Sequence, residues 1–180
     1  MITISAEQPC HHASVRQLTA SAFEASEFGH HGEAEMIEAL RGNSERVISF
    51  VALCDHRVIG HAIASPVVIR SGESETSGLA IGPMAVMPSF QRQGVGSQLV
   101  LAIIERAEAS GESFLAVAGH PEFYPRFGFR PSLDFGVQHC FEGMPDDVFF
   151  LQSLQKTFPD HFANGRLVYS SVFGRQDRFA

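Results

Sequence analysis

The sequence predicts an α/β fold, a mixed sheet with helices on both faces, and three observations predict it. Strand-length apolar segments and segments of helical spacing follow one another as strand, two helices, several strands, one helix and further strands. The stretch Phe114 to Ala118 is short and apolar throughout, as a buried strand is. After Gly94, the residues Val95, Leu99, Val100, Ile103, Ile104 and Ala107 fall on one stripe at helical spacing.

In order along the chain, residues 2 to 5 read as a short strand. From about Pro9 to Phe23 the pattern is helical, with Pro9 suiting a helix start and Val15, Leu18, Ala22 and Phe23 as the buried face. A loop from Glu24 to Gly32 carries Glu27, Phe28, His30 and His31. A second helix is expected from about Glu33 to Arg41, stopped by Gly42-Asn43. Arg46 to Leu53 reads as a buried strand, Asp55-His56 as a turn, and Arg57 to Arg70 as a longer strand that Pro66 bends or places at an edge. Ser71 to Ser77 reads as a polar loop. Leu79 to Met87 is a strand with a bulge at Gly82-Pro83, ended by Pro88, which has no N–H for a ladder. A helix of about 95–110 stops at Gly111. Phe114 to Ala118, Val148 to Leu154 and Leu167 to Tyr169 are the later strands, and the polar end from Gly174 to Ala180 is loosely held. With no internal repeat or linker, residues 1–180 are expected to form a single domain.

The loop between the strand ending at Met87 and the helix starting at Val95 carries the chemistry. Gly94 and Gly96 lack a Cβ, so a ligand can come close to the main chain. The first N–H groups of a helix have no partner inside it, and the helix dipole adds positive charge there. These features suit a pyrophosphate, with Arg92 adding a charged contact. Three readings compete: a structural turn, a dinucleotide loop of G-x-G-x-x-G type, and a coenzyme A loop. The dinucleotide loop needs a glycine where Leu99 stands. The string Gln91-Arg92-Gln93-Gly94-Val95-Gly96 resembles the Q/R-x-x-G-x-G/A signature of the GNAT acetyltransferase superfamily. Gly82-Pro83-Met84-Ala85-Val86, Gly119-His120-Pro121-Glu122-Phe123-Tyr124 and Arg126-Phe127-Gly128-Phe129 look like its YhbS-like bacterial subgroup. The resemblance is firm over about 80–130 and looser on either side.

The resemblance implies a central mixed sheet in which two neighbouring parallel strands, here 79–87 and 114–118, splay to form the acetyl-CoA cleft. It implies acetyl-CoA as the acyl-donor co-substrate, held by Met84, Ala85 and Val86 and by the loop from Gln91, Arg92, Gln93, Gly94 and Val95 to Gly96 and Ser97. It implies an N-acetyltransferase working by direct attack of an amine on the thioester in a ternary complex. The thioester carbonyl must be polarised, the amine must lose a proton, and the leaving thiolate benefits from a donor. By resemblance, the Val86 N–H polarises the carbonyl, and Tyr124, matching the tyrosine of an F-Y-x-x-x-G-F segment, protonates the sulfur. A phenol stays protonated at neutral pH, its ordinary pKa being about 10. Many family members carry a glutamate on the strand before the loop, whereas Leu79 to Met87 holds no acidic residue. The base is therefore a water relay, His120 or Glu122. The loop around Glu27 and Phe28, with Glu33, is where the acceptor is expected, the two carboxylates meeting an ammonium.

Composition bounds the alternatives. A net charge of −7 argues against nucleic-acid binding and fits a cationic acceptor, either a small molecule or a protein amine. Neither a membrane-spanning run nor a signal-peptide pattern is seen, and Cys10, Cys54 and Cys140 are widely spaced and odd in number. A cytoplasmic protein with free thiols is expected. The histidine pairs His11-His12 and His30-His31 lack metal-ligand spacing, so no metal is expected. The late phenylalanines Phe135, Phe141, Phe149, Phe150, Phe158 and Phe162 pack either a core or the face of a homodimer. The rivals to the enzyme are a non-catalytic acyl-CoA-binding sensor or partner module, a transferase of longer acyl groups, and a purely structural domain.

Overall fold

The computed structural model describes residues 1–24, 32–43, 46–141 and 143–174. The elements are β1 (Ile2–Ala6), α1 (His12–Glu24), α2 (Glu33–Asn43), β2 (Ile48–Cys54), β3 (Arg57–Ser71), β4 (Ser74–Val86), α3 (Val95–Ala109), β5 (Phe114–Ala118), β6 (Arg130–Pro131), β7 (Val137–His139), β8 (Phe149–Ser153) and β9 (Gly165–Tyr169). Contacts divide them into two units, Met1–Ser65 with Gly82–Arg106, and Pro66–Ile81 with Ala107–Ala180, and β3 and β4 each give one half to either unit.

In the first unit β1, β2, β3 and β4 lie in that order. Positive φ at Asp55 (50°) and His56 (64°) makes the two-residue hairpin turn between β2 and β3. The stripe expected of α3 is buried throughout, with Leu99, Val100, Ile103 and Ala107 at 0 % exposure. The helix packs on the face that presents Gly60 and Ala52, where a Cβ on Gly60 would stand 3.0 Å from Val95 Cγ1 and 3.1 Å from Leu99 Cδ1. His61, the next residue, points to the opposite face. There it meets Ser49 and Glu7, which Arg41 of α2 holds. Helices thus cover both faces of this part of the sheet. Pro9 opens a 3-10 turn (Pro9–His11) rather than α1 itself, which begins at His12.

In the second unit the far half of β3 pairs with β9, and β9 with β7. The near half of β4 runs parallel to β5, β5 antiparallel to β8, and β8 beside β6. Pro66 falls between two partners of β3: pairing with β2 reaches Ala64, and pairing with β9 starts at Val67. A residue without an N–H sits where no ladder bond is required of it. The expected loop from Ser71 to Ser77 is instead a tight turn at Gly72-Glu73 followed by strand from Ser74. Its polar residues belong to an exposed hairpin end, tied by Arg70 Nε to Glu75 Oε1 at 2.7 Å. The late phenylalanines Phe135, Phe158 and Phe162 are core, packed with Phe114, Leu151 and Leu167.

The β4–β5 ladder is registered at three pairs, Leu79↔Leu115, Ala80↔Ala116 and Ile81↔Val117, although β4 continues to Val86. Its tight start is at Gly78, where an added Cβ would lie 2.5 Å from the Phe114 carbonyl oxygen. Because the obstacle is backbone, Gly78→Ala is expected to cost about 2–3 kcal/mol, read as a lower denaturant midpoint with an unchanged m-value.

Candidate acyl-transfer site

β4 and the loop after it are fixed by main-chain bonds and by two glutamines. The Met87 N–H donates to the Ile59 carbonyl at 2.8 Å. Successive N–H groups of a strand point to opposite edges, so the Val86 N–H points away from β3. Ala85 is buried, while Met84 and Val86 are half-buried. A 3-10 turn over Pro88–Phe90 follows, closed by the Gln91 N–H on the Pro88 carbonyl at 3.2 Å. The Gln91 side chain donates to the Val86 carbonyl (3.0 Å) and that of Gln93 to the Ser89 carbonyl (2.8 Å). Gln91 therefore shapes the loop with both its amides, a role that its place in the motif does not reveal.

Arg92 and Gly94 have positive φ, 58° and 83°. A Cβ on Gly94 would meet nothing closer than Gln98 Nε2 at 4.0 Å, so it is the backbone conformation that calls for glycine. The Gln98 N–H bonds the Gly94 carbonyl at 3.0 Å, making it the first amide of α3 with an acceptor four residues back. The amides of Val95, Gly96 and Ser97 precede it at the open end of the helix. No acidic residue stands in the first turn, and Arg92 is exposed beside it. The arrangement attracts an anion.

The second feature lies in the other unit, where β5 ends. A 3-10 turn over Tyr124–Phe127 is closed by Gly128 at φ 93°. The Tyr124 ring, 5 % exposed, packs edge-on against Phe123 and Phe129 and tilted against Phe150. It fits because Gly119 has no side chain: a Cβ there would stand 2.4 Å from Tyr124 Cε2. Burial pushes the phenol pKa above its ordinary value, so Tyr124 is an O–H donor across the working pH range. His120 and Glu122 are exposed. The His120 carbonyl accepts the Phe123 N–H at 3.0 Å.

Of the residues expected to meet the acceptor, Glu27 and Phe28 lie outside the described residues. Glu33 is buried at the start of α2, where Oε2 accepts the Gly32 N–H at 3.1 Å. A cleft of about 460 Å³ lies in the first unit between α1 and residues 55–58, reaching Met87 and Pro88. Ser14, Gln17, Asp55 and Arg57 line it, and it stops short of the amides at the start of α3. Among the described residues no group of three or more His, Cys, Asp or Glu could hold a metal ion.

Two buried polar groups lie beyond the sequence reading. Glu7 accepts from Arg41, through Nε at 3.1 Å and through Nη2, and from Ser49 Oγ at 2.7 Å. Ser49 Oγ is 2.9 Å from His61 Nε2. In the second unit His139 Nε2 lies 3.1 Å from Asp146 Oδ1. Glu7 and Arg41 are 34 positions apart, so no local spacing could have announced that pair.

The loop at the start of α3 and the turn bearing Tyr124 both fall within residues 12–129, which match the model of the acetyltransferase (GNAT) family. The chain belongs to that family. It is 32% identical over 111 residues to the uncharacterised N-acetyltransferase YjhQ of Escherichia coli (strain K12), an alignment spanning 60% of this chain and 61% of YjhQ. Among solved structures, it resembles the GNAT family N-acetyltransferase YhbS of Escherichia coli in complex with CoA, with a TM-score of 0.84 at 24% identity over 97% of this chain and 92% of the other. It also resembles a GNAT family acetyltransferase of Brucella melitensis in complex with acetyl-CoA, with a TM-score of 0.78 at 26% identity over 96% and 98%. Among the described residues no helix is long and apolar enough to cross a membrane.

Proposed function

We propose that the protein is an N-acetyltransferase that moves the acetyl group of acetyl-CoA onto a primary amine by direct attack in a ternary complex. The observation that carries this reading is the open start of α3, where three amides, no acid and an exposed arginine follow a loop set by Gly94. The similar structures from Escherichia coli and Brucella melitensis, which hold CoA and acetyl-CoA, support it. In this reading Gln93 to Ser97 and Arg92 bind the pyrophosphate while Gln91 shapes the loop, and Met84 to Val86 lie along the pantetheine arm. The Val86 N–H polarises the thioester carbonyl, and Tyr124 donates to the leaving sulfur. The net charge of −7 favours a cationic acceptor, either a small amine or a protein amine. Free Cys10, Cys54 and Cys140 suit a reducing, cytoplasmic setting.

Calorimetric titration tests the reading. Acetyl-CoA is expected to bind with micromolar affinity and NADH not at all, whereas no binding of either would leave the loop a structural turn. Gly94→Ala forces a side chain into the left-handed region at about 1–2 kcal/mol, and about tenfold weaker acetyl-CoA binding is expected by the same measurement.

A second reading, a non-catalytic acyl-CoA-binding module, draws on the absence of a carboxylate from residues 79–87. The two part on whether a variant can lose turnover while keeping acetyl-CoA.

A further inference from the structure

We propose that Asp146, aimed by His139, takes the proton that frees the acceptor amine for attack, the task for which residues 79–87 provide no carboxylate; the proposal rests on the acetyl-transfer reading above. Asp146 and His139 lie outside the residues that match the family model, and all the groups concerned lie in the second unit.

Their place in the fold puts the pair at the end of β5. Asp146 opens a 3-10 turn (Asp146–Val148) whose last carbonyl accepts the Gly119 N–H at 2.9 Å. The next residue, Phe149, pairs with Ala118, the last residue of β5. Neighbouring residues of β8 point to opposite faces. Phe150 faces Tyr124, with ring centroids 6.5 Å apart. Phe149 faces the other way, and the His139 ring stacks on it at 3.9 Å and 9°. Tyr124 and the His139–Asp146 pair therefore flank the end of β5 from opposite faces. That disposition allows two separate groups to serve the attacking nitrogen and the leaving sulfur, which occupy different positions around the tetrahedral carbon.

The state of His139 defines its part. Its Nδ1 accepts the Phe141 N–H at 3.2 Å, so the ring proton is on Nε2, directed at Asp146 Oδ1 3.1 Å away. The ring is 1 % exposed and both its nitrogens are engaged. His139 is thus a positioning residue, and the reactive group is the carboxylate, whose side chain is 37 % exposed. Phe141 stacks near His139 and Phe149, and Tyr169 lies against Phe141, so the imidazole that aims the carboxylate is held by packed aromatic rings.

The step balances as follows. Asp146 takes one proton from the ammonium and passes it to solvent. The freed lone pair forms the C–N bond at the carbonyl carbon, and the π pair moves to oxygen. That pair returns as the C–S bond breaks, the second nitrogen proton, strongly acidic once nitrogen is bonded to the carbonyl carbon, leaves to water, and sulfur takes a proton from Tyr124. Solvent restores both side chains, so ammonium and thioester give amide, thiol and one proton.

The test compares two acceptor types at saturating acetyl-CoA: primary alkylamines (tyramine and spermidine), which are protonated at neutral pH, and hydroxylamine, which is not. Asp146→Asn is expected to lower kcat for the alkylamines about 100-fold while sparing hydroxylamine and leaving the calorimetric Kd for acetyl-CoA unchanged. His139→Phe keeps the stack on Phe149 and loses the N–H; it is expected to show the same selective loss on a smaller scale, and it decides the matter alone if the Asn variant does not bind acetyl-CoA. Equal losses for both acceptor types, no loss, or a wild type that acetylates hydroxylamine alone would overturn the proposal. A wild type that binds acetyl-CoA and acetylates nothing would mean that the acetyl-transfer reading itself has failed.

Discussion

Tyr124→Phe is expected to lower kcat about 100-fold and leave the Kd for acetyl-CoA unchanged. The ring is held by Phe123, Phe129 and Phe150 and by the space at Gly119, none of which needs the hydroxyl. Removing one oxygen therefore takes away the donor and keeps the packing, so the melting temperature should barely move. Steady-state kinetics beside calorimetry checks this, and it separates the enzyme from a binding module, for which the variant would be silent. The pH profile carries a second expectation. Because burial raises the phenol pKa, Tyr124 stays protonated through the range in which enzymes are assayed, and an alkaline fall in rate there must come from another group.

A large loss of stability in acid is expected from Glu7. Burial alone would raise its pKa, but the nearby His61 ring, 3.6 Å away, and the hydrogen bonds from Arg41 and Ser49 outweigh burial and hold the carboxyl down, from 4.5 to about 2. A carboxylate whose pKa is lower in the folded state contributes its stabilisation above the unfolded value and loses it as pH falls through the folded one. The contribution at neutral pH is about 3 kcal/mol, and it fades between about pH 4.5 and 2. With the Glu7 side chain 4% exposed and that of Arg41 15%, solvent screens the pair little. Glu7→Gln should lower the melting temperature by about 10 °C at pH 7 and flatten its decline below pH 4.5. A variant that melts in parallel with the wild type at every pH would remove Glu7 from the account.

The residues that could be read in the sequence are those whose neighbours in space are neighbours in sequence. The stripe from Val95 to Ala107 is a periodicity, the turn at Asp55-His56 a pair of consecutive residues, and the loop before α3 a run of six. The start of β4 was hidden because Ser74 to Ser77 form an exposed ladder, which has no need of apolar residues. β6 is two exposed residues and β7 three, too short for any period to show. The pairing of Glu7 with Arg41 and of His139 with Asp146 depends on how strands and loops come together. The same holds for the side-chain amide of Gln91, which a motif assigns to a ligand and the fold spends on the Val86 carbonyl.

The change of partner along β3 bears on the order in which the chain folds. Its first half meets β2 across a two-residue turn, an encounter that costs little chain entropy. Its second half waits for β9, with Ile69 paired to Leu167 about 100 residues later, so the loop to be closed is long and the step slow. The β2–β3 hairpin is thus formed early and the β3–β9 ladder late. During synthesis, the edge that β9 will occupy stays open until residues 165–169 have emerged, and Pro66, which offers no N–H at the entrance to that edge, gives an intruding strand one bond fewer to form.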